Sequence, residues 1–376
     1  ASVSNINGNS ASAVHNYSVD SSAPTIIINT VASDNIVNAS EADAGVTVSG
    51  STTAEAGQIV TVTLNSPTVQ TYQATVQADG SWSINIPAAD LEALTDGSHT
   101  LTAMVNDKAG NPASTTHNLA VDLTVPVLTI NTIAGDDIIN AAEHGQALVI
   151  SGSSTGGEAG DVVTVTLNSK TYTTTLDASG NWSVGVPAAD VTALGSGPQT
   201  VTATVTDAAG NSDSETHTVT VNLTAPTIGI NTIATDDVIN ATEKGADLQI
   251  SGTSNQPAGT TITVTLNGQN YTATTDASGN WSTTVPASAV GALGEASYTV
   301  TANVTDSAGN SNSASHNVQV NTALPGVTIN PVASDDIINA AESGVAQTIS
   351  GQVTGAAAGD TVTVTLGGKT YTATVQ

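Results

Sequence analysis

The sequence predicts an all-β protein built as a row of seven-stranded sandwiches. Three observations carry this: alternation of Val with Thr, turn signals at short intervals, and a repeat of about one hundred residues. Branched side chains suit a pleated, half-buried surface, and Val, Thr, Ala, Ser, Asn and Gly dominate the 376 residues. Prolines open equivalent segments at Pro24, Pro126, Pro226 and Pro325, which lie 102, 100 and 99 residues apart. Trp82, Trp182 and Trp281 follow the same period, as do His117, His217 and His316. Three complete units result, 21–122, 123–222 and 223–321. Residues 1–20 match the last strand and turn of a unit, and 322–376 match the first half of another. The chain therefore reads as a piece of something longer.

Within the second unit seven strand segments stand in order: VLTINTIA (127–134), ALVISGS (147–153), DVVTVTLN (161–168), TYTTTLD (171–177), NWSVGVP (181–187), QTVTATVTD (199–207) and ETHTVTVN (215–222). In the third, Val163, Val165 and Leu167 point one way, while Thr164 and Thr166 point the other. Seven such strands in about one hundred residues fit an Ig-like sandwich, here without its disulfide because the chain has no cysteine. The stretch PAADVTALGSG reads as one short helical turn closed by glycine. Joints such as DLTVP are short and carry proline, so the units are expected to form a stiff, monomeric rod. At roughly 40 Å per sandwich, three to four units would span on the order of 150 Å.

Charge narrows the function. With 32 acids, 4 lysines and no arginine, the net charge of −28 argues against nucleic acid and anionic membrane surfaces. No signal peptide and no apolar run of spanning length is found, so a soluble chain without membrane insertion is expected. The acids recur in one place. GDDIINAAEHG, SDNIVNASEAD, TDDVINATEKG and SDDIINAAESG follow the first strand of successive units. They contribute Asp34 and Glu41, then Asp136, Asp137 and Glu143, then Asp236, Asp237 and Glu243, and finally Asp335 and Asp336. Sandwich topology places this stretch at the pole next to the following unit. The turns holding Asp107, Asp207 and Asp306 lie at the opposite pole.

Around residue 122 the expected meeting groups are Asp34, Glu41, Asp122 and Asp207, with Asp177 a further candidate. Around 222 they are Asp136, Asp137, Glu143, Asn222 and Asp306, with Asp276. Like charges 4 Å apart repel by about 1 kcal/mol even in water. An all-oxygen donor set with no cysteine then points to Ca2+ rather than Mg2+ as the neutralising ion, because Ca2+ accepts six to eight irregular ligands. The competing reading is local: Asp in a turn and Glu in a capping box need no ion. The tryptophans read as core rather than sugar platforms, and the strand histidines lack zinc partners. No catalytic constellation stands out, which argues against an enzyme.

The combination APTIxINT, DDIINAxE, SGxS, DxSGNWS and DxAGN resembles the bacterial Ig-like repeats of giant type-I-secreted surface adhesins, over essentially the whole chain. The resemblance implies a secreted rod at the bacterial cell surface, stiffened by Ca2+ at its joints. It also implies that host receptor or glycan is contacted by other parts of the parent protein. Asn35, Asn222 and Asn321 depart from the acidic pattern and imply weaker sites. Two alternatives remain: the units themselves bind host glycans, or they are spacers of a secreted polysaccharide enzyme.

Overall fold

In a computed structural model, residues 1–65 and 69–376 are described. The chain divides into two compact units, residues 1–139 with 143–221, and 140–142 with 222–376.

The first unit holds two complete sandwiches. In the second of them the strands are β1 (Val127–Ile130), β2 (Ile138–Ile139), β3 (Leu148–Thr155), β4 (Val162–Leu167), β5 (Lys170–Thr175), β6 (Asn181–Val186), β7 (Gly197–Thr206) and β8 (Ser212–Val221). The helical turn α1 (Ala188–Thr192) precedes β7. One sheet runs β1-β3-β6 and the other β2-β8-β7-β4-β5. The first and third sandwiches repeat this topology.

Eight strands replace the expected seven. The chain leaves β1 after Ile130, turns through Ala134, Gly135 and Asp137 at φ 56°, 91° and 62°, and re-enters as β2 on the opposite sheet. There Ile138 and Ile139 pair in parallel with Thr220 and Val221. The acidic stretch is thus a sheet-switching corner, only partly a loop. A short Asp or Asn side chain tolerates positive φ better than other non-glycine residues. That explains Asp137, Asp237 and Asp336, and equally Asn35 (φ 70°), at the same place.

Inward-facing residues of both sheets form the core. Val163, Val165, Val201, Val205 and Val219 are fully buried, as are Ile139 and Ile150, and Trp182 is 3 % exposed. Trp182 packs against Gly152, so close that a Cβ there would meet the Thr129 carbonyl.

The second unit contains the third sandwich and the partial repeat. In the latter, Gly326–Ile329 pairs with Gly351–Thr354, and Thr361–Leu366 with Lys369–Thr374. Ile337 and Ile338 form no strand and are exposed. Residues Ser2–Ser4 and Ser10–Ser12 make a small hairpin in the first unit.

Candidate cation site beside Asp122

Most of the corner acids are engaged locally. Asp34, Asp136, Asp236 and Asp335 each accept the amide two residues on, from Ile36, Ile138, Val238 and Ile337, at 2.9–3.0 Å. These are Asx turns. The next position reaches backwards. Asp137 Oδ1 accepts from Ile133 N (2.8 Å) and contacts His217 Nε2 (2.6 Å). Asp237 does the same with Ile233 and His316, and Asn35 with Val31 and His117. The backbone bond first, and the histidine second, hold the Asp137 and Asp237 carboxyls below the usual carboxylate range. Asp336 accepts from Val332 N at 2.9 Å.

Glu41, Glu243 and Glu342 each accept the backbone amide three residues earlier, at 3.0–3.1 Å; with Asn38 the pair forms a full capping box. Glu143 holds the same place in the second sandwich, and its carbonyl accepts from Gln146 N.

The opposite turns follow one design. Asp107, Asp207 and Asp306 accept from the backbone amides of Asn111, Asn211 and Asn310, each at 2.8 Å, and from the same side chains at 2.8–3.3 Å. The asparagine then acts as a bolt. Asn211 Nδ2 donates to the Asp122 carbonyl (3.0 Å), and its Oδ1 accepts from Ala39 N of the preceding sandwich (2.8 Å). Asn38 Nδ2 donates to the Ala209 carbonyl at 3.1 Å. Asn211 is 5 % exposed, so these bonds are shielded from water. Within the second unit Asn310 bonds Asn222 O and Ala141 N in the same way.

Corner and turn thus meet between the first two sandwiches, as topology predicts, but through amides rather than carboxylates. Sequence reading missed Asn38 and Asn211. Their only signal was a recurrent asparagine in stretches already explained as turns.

Asp122 differs in its surroundings. It ends the last strand of the first sandwich, and its Oδ1 accepts a longer Asx bond, 3.2 Å, from Thr124 N. Burial pushes its pKa up, and Asp207, Asp96 and Glu158 raise it further. Every charged group acting on it is a carboxylate. Of the groups expected around residue 122, Asp207 is among the charges that raise the pKa of Asp122, with Asp96 and Glu158 beside it in that effect. Asp177 closes its own turn onto Ser179 and Asn181. Among the described residues no three His, Asp or Glu side chains are grouped as the ligands of one ion.

Trp82, Trp182 and Trp281 are 1–3 % exposed, so their ring faces belong to the core. No helix among the described residues is long and apolar enough to cross a membrane.

Among curated proteins none matches the chain. Several solved structures are similar. A Ca2+-stabilized adhesin that helps an Antarctic bacterium reach out and bind ice shares 38 % identity, covering 95 % of this chain and 89 % of its own, with a TM-score of 0.41. A 1.5-MDa bacterial ice-binding adhesin shares 31 % over 80 % of this chain and 98 % of its own, TM-score 0.41. A tetra-tandem repeat from the extending region of a large adhesion protein shares 25 % over 94 % and 88 %, TM-score 0.33. The bacterial Ig-like domain family matches residues 29–123, 149–223 and 226–322, most of the chain and all three sandwiches. The chain therefore belongs to the bacterial Ig-like domain family, as a tandem array of its members.

Proposed function

We propose that this chain is an extender segment of a secreted bacterial surface adhesin, stiffened by Ca2+ bound where one sandwich follows another, and that it projects a binding tip supplied by other parts of the parent protein. The observation that carries the reading is the Asp122 carboxylate. It is partly buried, its side chain takes a 3.2 Å bond from Thr124 N, and the charges that act on it are those of Asp207, Asp96 and Glu158. A divalent cation there would remove repulsion that water and salt screen only partly.

The donor chemistry fits Ca2+: carboxylate oxygens from Asp122, Asp207 and Glu158, with no nitrogen or sulfur ligand required. Bound Ca2+ would supply positive charge and a rigid cross-link between the strand end and the next sandwich's loops. Asp122 carries the unneutralised charge, Asp207 is fixed in place by Asn211, and Glu158 adds charge from the neighbouring loop. The side chains must draw together to share an ion, so binding and ordering are coupled. The name of the Antarctic adhesin carries the same ion.

Isothermal titration with Ca2+ after chelator treatment tests this. Extracellular modules bind at about 10⁻⁴–10⁻³ M, and at one hundred times Kd the ion adds about 2.7 kcal/mol of stability. Heat of binding should appear with a rise in melting temperature, and small-angle scattering should show a longer particle with Ca2+ than in chelator. Asp122→Asn/Asp207→Asn should remove one site. No heat and no melting shift would sink the proposal.

A further inference from the structure

The linkers after the first and third sandwiches are each bonded by a carboxylate from the preceding turn. Asp96 lies in the turn before the seventh main strand of the first sandwich. Its Oδ1 accepts from Leu123 N at 2.7 Å and its Oδ2 from the Thr124 hydroxyl at 2.5 Å. Both partners belong to the joint DLTVP that leads into the second sandwich. The second unit repeats the arrangement with a longer acid. Glu295 occupies the equivalent position, and its carboxylate accepts from Thr322 N at 3.1 Å and from the Thr322 hydroxyl. Both acids titrate below their ordinary range because of these bonds. The middle sandwich breaks the pattern: the same position is Ser196, although the linker that follows, Leu223-Thr224, matches Leu123-Thr124.

We propose that this acidic position is a metal-independent linker clamp, and that its residue grades the stiffness of successive joints: firm after the first and third sandwiches, loose after the second. The chemistry is direct. A carboxylate holding one backbone amide and one hydroxyl forms two charge-assisted bonds and removes the linker's freedom at two consecutive residues in the first joint. A serine at that position has a single neutral oxygen and a shorter reach. Proline two residues further on, at Pro126 and Pro226, restricts the remaining linker backbone in both cases, so the clamp residue is what differs. An array of stiff segments joined by a softer one bends at a chosen place instead of everywhere.

The test uses the whole 376-residue chain in chelator, where the proposed Ca2+ reading plays no part. The chain has no cysteine. Spin labels at Ser114→Cys and Ser214→Cys report the first joint, and labels at Ser214→Cys and Ser313→Cys the second. All three positions are exposed. The distance distribution should be narrower at the first joint. Asp96→Ser should broaden it and speed exchange of the Leu123 amide about tenfold, while Asp96→Glu preserves both. Thr124→Ala, which leaves the acid in place, should give an intermediate width. Ser196→Asp should narrow the second joint. Unchanged width and exchange in Asp96→Ser, with the sandwiches still folded by circular dichroism, would overturn the clamp, as would a Ser196→Asp joint that stays broad. Absence of Ca2+ binding with these effects intact would leave the clamp standing and remove only the ion.

Discussion

A methyl group on Gly152 would sit 1.9 Å from the Thr129 carbonyl oxygen and 2.7 Å from Trp182 Cζ2. Neither neighbour can yield, because one is backbone and the other a core ring. Gly50 and Gly252 face the same clash against Ile27, Trp82, Gly229 and Trp281. Gly152→Ala should therefore cost about 3 kcal/mol, seen in calorimetry as one of three sandwich transitions moving down while the others hold. At the same scale, the depressed Asp137 and Asp237 carboxyls set a pH dependence. Their folded pKa lies below the unfolded value of about 3.9. The stability they contribute is present above that value and lost as pH falls through the folded one. Asp137→Asn/Asp237→Asn should flatten the fall in melting temperature between pH 5 and pH 3. Asn35 already makes the same bonds without a charge, so folding should survive.

Strand β2 shows what an element owes to its partner. Residues 136–142 and 335–341 have the same sequence, DDIINAA. In the complete sandwich Ile139 is fully buried beside Val221; in the partial repeat Ile338 is 51 % exposed and no strand forms. The Asx turn and the backward bond of the second aspartate persist in both. The corner is thus local, and the strand is tertiary. Ile139→Ala should cost about 2–5 kcal/mol and Ile338→Ala under about 0.5 kcal/mol, compared by denaturant melts of the two variants. The same division explains what sequence made legible. The repeat, the inward face of β4 and the helical turn rest on period and turn chemistry, and the structure places them as expected. Strand β2 was hidden because two isoleucines after two aspartates carry no period. The asparagine bolts were hidden because a turn residue has a sufficient local explanation, and only coordinates reveal the second partner. Asp96 escaped notice for the same reason.

At the scale of the molecule, 32 acids face 4 lysines. Two of the clearer charge relationships lie at the extremes: Lys170 pairs with Asp190, whereas the charges that act on Asp122 are those of Asp207, Asp96 and Glu158. Repulsion among exposed carboxylates is screened over about 10 Å at 0.1 M salt, so melting temperature in chelator should rise with added NaCl. The part owed to Asp122 can be isolated, because the chain carries its own control: the equivalent positions are Asn222 and Asn321. A group whose folded pKa is raised destabilises the fold while ionised and is relieved by protonation or by a cation. Asp122→Asn should accordingly raise stability in chelator, by under about 1 kcal/mol since the group is only partly buried. In saturating Ca2+ the order should reverse, because the variant loses the ion's anchor. A variant that is more stable than the native chain in both conditions would mean that Asp122 holds no cation, and one less stable in both would mean that its charge is offset by something other than an ion.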